Sequence, residues 1–197
     1  PDIIASPQVM LMRWMEPSTF VVINWLFLYS LAFAGLVVFS RRFKISPFVL
    51  TILFLLFNFN GHIEAHLSIG HYTWGGYFLL PWFVLFILEL QNRTANWRWI
   101  GKMAFLLTLV FLQGSFHQFV GLLIFIALLA LCYPKNFWQL AMTGIFSCLL
   151  SSFRIFPVAL IVKKVEQVFI GGFPGIWESV KGMLELRNAT MLMDGLS

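Results

Sequence analysis

Charge is scarce in this chain. Only 11% of its 197 residues are Asp, Glu, Lys or Arg, and the acids number just 8. A soluble domain carries about a quarter of its residues as charges, so a water-facing surface of ordinary composition is excluded. Cysteine is nearly absent as well. Cys132 and Cys148 lie in or beside apolar runs, which rules out a disulfide framework and a Cys-based metal spacing and predicts buried, inert thiols. There is no low-complexity tract and no internal repeat. No basic stretch followed by an apolar core and a cleavage site opens the chain, so no signal peptide is read at Pro1. The start at Pro1 and the end after MDGLS lead us to expect a piece of a longer membrane protein.

What the chain has instead is apolar surface. Hydrophobic residues make up 60% of it, 23 of them Phe, with a mean hydropathy of +0.86. A soluble fold of this size would have nowhere to put so much. The expected class is therefore all-α, a polytopic transmembrane helix bundle. Apolar segments fall at about 20–40, 47–57, 77–90, 103–112, 119–131 and 137–153, giving about six spans. Several are shorter than the roughly 20 residues needed to cross a bilayer, which implies spans whose ends carry polar residues facing a cavity. Residues 1–18 read as an interfacial segment with Trp14 at headgroup level, 19–162 as the bundle, and 163–197 as an amphipathic outer-face segment. Trp25, Trp74, Trp82, Trp97 and Trp99 lie near segment ends and read as an aromatic belt.

The net charge of +5 does not point to nucleic acid, because the cations sit in short connectors and not on one aromatic-studded polar face. Arg41, Arg42 and Lys44, then Arg93, Arg98 and Lys102, then Lys135 occupy alternate connectors, whereas 58–76 and 113–118 contain no Lys or Arg. The positive-inside rule places the basic connectors of a multi-pass membrane protein in the cytoplasm. The other connectors then face outward, and they bring together residues distant in sequence. These are His62, Glu64, His66, His71, His117 and Arg154, with all four histidines of the chain among them.

The densest of these stretches is NFNGHIEAHLSIGHYTW at 58–74. His62 and His66 are four apart, so on a helix they point about 40° from each other, a geometry a divalent cation such as zinc can use. Glu64 turns to the opposite face, so this is not the HExxH arrangement. A third ligand would have to come from His71 or His117. Two helix-borne histidines can also ligate haem. The plainer alternative is that the histidines, Asn58 and Asn60 cap helix ends at the interface. Arg154, after two serines, is either a snorkelling arginine or a clamp for phosphate. Gln113, Ser115, His117 and Gln118 form a polar hairpin tip, a plain turn or a wall of the same cavity. Asn188-Ala189-Thr190 matches a glycosylation sequon, a weak pattern.

Taken together, SPQVMLMRWMEP, a helix ending in RRFKIS, FNGHIEAHLSIGHYTWGGYFLLPWF and SSFRIFPVAL resemble YfhO-like bacterial membrane proteins. Those are similar to the C-type membrane glycosyltransferase superfamily, and the resemblance covers most of 5–178. It implies many spans and transfer of a sugar from a polyprenyl-phosphate donor at the outer face, using an acid in the first outer loop. That acid would precede Pro1 unless Asp2 or Glu16 belongs to the loop. Glu64 is the one acid between spans on the predicted outer side, and so stands in as general base or metal ligand. Arg154 would bind donor phosphate. Asn60, His62, His66, His71, Trp74, Gln113 and His117 would line the substrate site. A non-enzymatic subunit of an envelope-assembly complex, and a metal- or haem-binding membrane subunit, are the alternatives.

Overall fold

The computed structural model describes residues 6–68, 72–92 and 96–164. Among these residues all regular structure is helical and no strand occurs, so the protein is an all-α bundle. A 3-10 helix, Pro7–Arg13, stands where the sequence suggests a short interfacial helix. It is followed by α1 (Pro17–Phe43), α2 (Pro47–Asn58), α3 (Gly61–Ser68), a second 3-10 helix (Tyr72–Leu79), α4 (Leu80–Asn92), α5 (Trp97–Leu112), α6 (Phe116–Cys132), a 3-10 turn (Pro134–Asn136) and α7 (Phe137–Lys164). The chain divides into two compact units, Pro1–Pro157 and Val158–Ser197. The described part of the second is the helical backbone of 158–164. The expected amphipathic segment beyond it, with its sequon, lies outside the described residues, as do Asp2, His71 and Arg93.

Local chemistry sets the helix boundaries. α1 opens with Pro17 in its first turn, where a missing N–H costs nothing. It closes on Lys44 in the left-handed region (φ 52°), with Arg41 and Arg42 in the last turn, where the helix dipole favours cations. The Ser46 and Asn96 side chains accept from the backbone N–H of Val49 and Trp99 and so cap α2 and α5. The sequence predicts a span from Tyr77, but the α-helix starts at Leu80. Pro81 is tolerated only in a first turn, so the preceding residues wind as a 3-10 helix instead.

Each of the six expected segments is helical. Four candidate spans, Pro17–Phe43, Pro47–Leu67, Thr73–Leu90 and Pro134–Pro157, are long and apolar enough to cross a membrane. α6 is apolar but has 17 residues, and α5 has 16. The distribution of side chains is inverted relative to a soluble protein. Asn58 is the one buried residue of α2, while Phe48 and Leu56 on the same helix are 74% and 69% exposed. Asn24, Thr108, Thr143, Ser147 and Ser151 are likewise inside. Large apolar side chains facing outward with small polar ones within suit a lipid solvent. The expectation of buried thiols is corrected for the same reason: Cys132 and Cys148 are both exposed, on apolar helix faces that turn outward.

Two indoles tie the helices together. Trp82 of α4 donates its Nε1–H to the Leu31 carbonyl of α1 at 2.9 Å, and Trp99 of α5 donates to the Phe86 carbonyl of α4 at 2.8 Å. These tryptophans are therefore interhelical pins, not belt residues, while Trp97 is 68% exposed. Gly35 makes the first pin reachable, since a Cβ there would sit 2.9 Å from Pro81 Cβ and 3.0 Å from Trp82 Nε1. The main core gathers Leu79 from the second 3-10 helix with Phe83, Trp99, Met103, Leu107, Val110, Phe119 and Leu140 from α4 to α7.

Candidate functional site

Contacts between distant segments define two ends of the bundle. At one end Arg42 of α1 meets Glu89 of α4 at 2.7 Å. At the other, the Gln8 carboxamide donates to Gln113 Oε1 at 2.8 Å, Gly76 N–H donates to Ser115 Oγ at 2.8 Å, and Tyr77 Oη donates to the Phe57 carbonyl at 3.0 Å. The second end carries His62, Glu64, His66, Trp74, Gln113, His117 and Arg154. The helix alternation read from the charges thus corresponds to a spatial partition.

Trp74 organises this end. The His66 ring stacks on its indole, with centroids 4.9 Å apart and planes 20° apart. His62 meets it edge-on at 5.1 Å, and His117, arriving from the first turn of α6, meets it at 4.8 Å. His62 and His66 lie 4.6 Å from each other on one face of α3, as their spacing requires. Asn60 Oδ1 accepts from His62 N–H at 3.0 Å and so caps the start of α3. His66 already lies against the indole face of Trp74. His71 falls outside the described residues.

The 3-10 helix bearing Trp74 is held by the hairpin between α5 and α6. Ser115 Oγ accepts from Gly76 N–H and donates to the Thr73 carbonyl. The approach is so close that a Cβ on Gly76 would lie 2.6 Å from Ser115 Oγ and 2.8 Å from Gln118 Oε1. Ser115 is fully buried, and Gln118 Oε1 is buried without a hydrogen-bond partner. Gln113 is buried too, and its acceptor is taken by Gln8. Beneath the rings, Ile63, Leu28, Ala32 and Phe78 form a second apolar cluster with Tyr29, Phe57 and Tyr77 packed against it.

Glu64 sits on the exposed side of α3, turned away from the ring cluster. Among the described residues its carboxylate forms no salt bridge. Arg154 Nη1 donates to the Phe111 and Leu112 carbonyls at 3.2 and 3.4 Å, and its guanidinium lies 5.4 Å from the centre of the Phe111 ring. A cation on the last carbonyls of α5 is a helix cap that the dipole favours. No group of three or more His, Cys, Asp or Glu among the described residues is placed to hold a metal ion, so the two-histidine pair gains no third ligand there.

Three contributors gave no sequence signal: Gln8, Tyr29 and Tyr77. Each acts through a partner on a different helix, and nothing in local spacing announces that. Ser115, read in the sequence as part of the polar hairpin tip, holds the backbone of the 3-10 helix that bears Trp74.

Comparison with known proteins returns no match: no family model, no curated protein and no solved structure aligns significantly with the chain. Fold and site together define a class, an all-α helical bundle of membrane-crossing composition with a polar, histidine-rich end.

Proposed function

We propose that the chain is the membrane part of a glycosyltransferase akin to YfhO-like bacterial proteins, using a polyprenyl-phosphate-linked sugar at the outer face of the plasma membrane. The observation that supports this is convergence. Glu64, His62, His66, His117, Trp74 and Arg154, drawn from three α-helices and a 3-10 helix, lie at one end of a bundle otherwise covered in apolar side chains. Polar groups gathered at such a place are functional by default.

In this reading Glu64, exposed and without a salt bridge among the described residues, takes the proton from an acceptor hydroxyl. The hydroxyl oxygen attacks the anomeric carbon of the donor sugar. The bond from that carbon to the phosphate oxygen breaks, and polyprenyl phosphate leaves with the electron pair. Arg154 offsets the charge that develops on the phosphate. Asn60, Gln113 and the histidines shape the acceptor side, and His71 would join them. The test is sugar transfer from a polyprenyl-phosphate donor by Glu64→Gln and Arg154→Gln variants of the full-length protein. Loss of turnover in Glu64→Gln with the fold intact is expected, and unchanged turnover in both variants overturns the reading.

One observation favours a second reading, a non-catalytic subunit of an envelope-assembly complex. Arg154 caps α5 and the histidine rings pack on one indole, so these residues already have a structural task. Under that reading Arg154→Gln lowers stability while Glu64→Gln changes nothing measurable.

A further inference from the structure

The opposite end of the bundle carries a site of its own. Where the start of α5 meets the first turns of α7, a cleft of about 320 Å³ is lined by Asn96, Trp97, Ile100, Trp138, Gln139 and Met142. Its make-up is graded. Ile100 and Met142 contribute apolar surface, Asn96 and Gln139 present carboxamides, and the two indoles stand 68% and 74% exposed. Exposed indoles with one apolar and one polar edge are the side chains that settle at lipid headgroups. Trp97 also packs edge-on against Phe146 of α7 at 6.3 Å, which ties the two helices together beside the cleft.

Among the described residues, cations outnumber acids at this end. Arg98 follows Trp97 along α5, Lys135 precedes Trp138 by three residues, and both are exposed. Arg41, Lys44 and Lys102 share the same end. The described acid there, Glu89, is held by Arg42 at 2.7 Å, so it does not offset the others. The cleft also lies at the start of a 16-residue helix, where Asn96 Oδ1 caps Trp99 N–H and the dipole adds positive potential.

From the cleft, its two indoles and the uncompensated cations, we propose that this end of the bundle binds the headgroup of an anionic phospholipid. The phosphate faces Arg98, Lys135 and the two carboxamides, the glycerol region lies between Trp97 and Trp138, and the first methylenes rest on Ile100 and Met142. A zwitterionic phospholipid offers the same apolar contacts without the net charge, so charge is what the site discriminates. The inference does not depend on glycosyl transfer.

The test uses the full chain in vesicles of phosphatidylcholine containing either brominated phosphatidylglycerol or brominated phosphatidylcholine at equal mole fraction. Bromine quenches indole fluorescence on contact, and the Trp97/Trp138 component is the difference between the wild-type chain and a Trp97→Phe/Trp138→Phe variant. A surface cation enriches an anionic lipid about fivefold. The quenching constant of that component should therefore be at least about fivefold larger for phosphatidylglycerol at low salt. The preference should fall toward one in Arg98→Gln/Lys135→Gln, whose exposed positions leave the fold unaltered, and in wild type at about 1 M salt, where the screening length is about 3 Å. Equal quenching by both lipids overturns the proposal. So does a preference that Arg98→Gln/Lys135→Gln leaves unchanged.

Discussion

Gly76→Ala is the sharpest probe of how the histidine-bearing end is held. The new Cβ would sit 2.6 Å from Ser115 Oγ, 2.7 Å from Ser115 Cβ and 2.8 Å from Gln118 Oε1. Alanine's better helix propensity contributes at most about 1 kcal/mol in favour of the variant. Against it stands overpacking, about 1–3 kcal/mol. Displacing Ser115 also breaks its bonds to Gly76 N–H and the Thr73 carbonyl, about 0.5–1.5 kcal/mol each. The clash wins, and a net loss of about 2–4 kcal/mol is expected. Ser115→Ala breaks the same two bonds without the clash and should cost about 1–3 kcal/mol, because two backbone groups lose their partner. Combining Gly76→Ala with Ser115→Gly removes both close atoms of residue 115 and leaves only the tip of Gln118, whose Oε1 has no hydrogen-bond partner to lose. The double variant should therefore be more stable than the sum of the single losses by about 1–2 kcal/mol. Unfolding in mixed micelles titrated with SDS, followed by far-UV circular dichroism, measures wild type, the single variants Gly76→Ala, Ser115→Ala and Ser115→Gly, and the double variant. A Gly76→Ala variant within about 0.5 kcal/mol of wild type, or strict additivity, would refute the reasoning.

The same titration checks three further expectations. Trp82→Phe and Trp99→Phe each leave a carbonyl without its indole donor and should cost about 1–3 kcal/mol, while Trp97→Phe, exposed, should stay within about 0.5 kcal/mol. Arg154→Gln removes the cation from the end of α5 and from the Phe111 ring; a loss of about 1–3 kcal/mol is expected, with Arg154→Lys recovering part of it. Arg42→Gln breaks an exposed ion pair and should cost less than about 1 kcal/mol, vanishing at high salt; a larger, salt-insensitive loss would mean the pair does more than its exposure allows.

Composition made the all-α bundle legible, because a long apolar run has few alternatives. Boundaries were legible wherever one residue type enforces them, as with Ser46-Pro47 before α2 and Gln113-Gly114-Ser115 between α5 and α6. The 3-10 helix Tyr72–Leu79 was not, since Pro81 acts on residues several places upstream and Gly76 is set by a serine 39 residues away. The spacing of His62 and His66 foretold their adjacency. Their meeting with Trp74 and His117 did not follow from spacing, because two other elements supply those rings. Nor did the roles of Trp82 and Trp99. A tryptophan near a segment end looks alike in sequence whether its N–H finds lipid headgroups or a neighbouring helix.

Those two indoles carry a mechanical consequence. Trp82 links α4 to the middle of α1, and Trp99 links α5 to α4, each through one N–H aimed at one carbonyl. Sliding either helix by a single residue moves the carbonyl about 1.5 Å along the axis and breaks a bond that lipid cannot replace. The three helices are therefore locked in phase, like staves dowelled side by side. Any motion that admits or expels a molecule has to tilt this panel as a whole or swing elements tethered nearer one end, α2 through Tyr77 and α7 through Arg154.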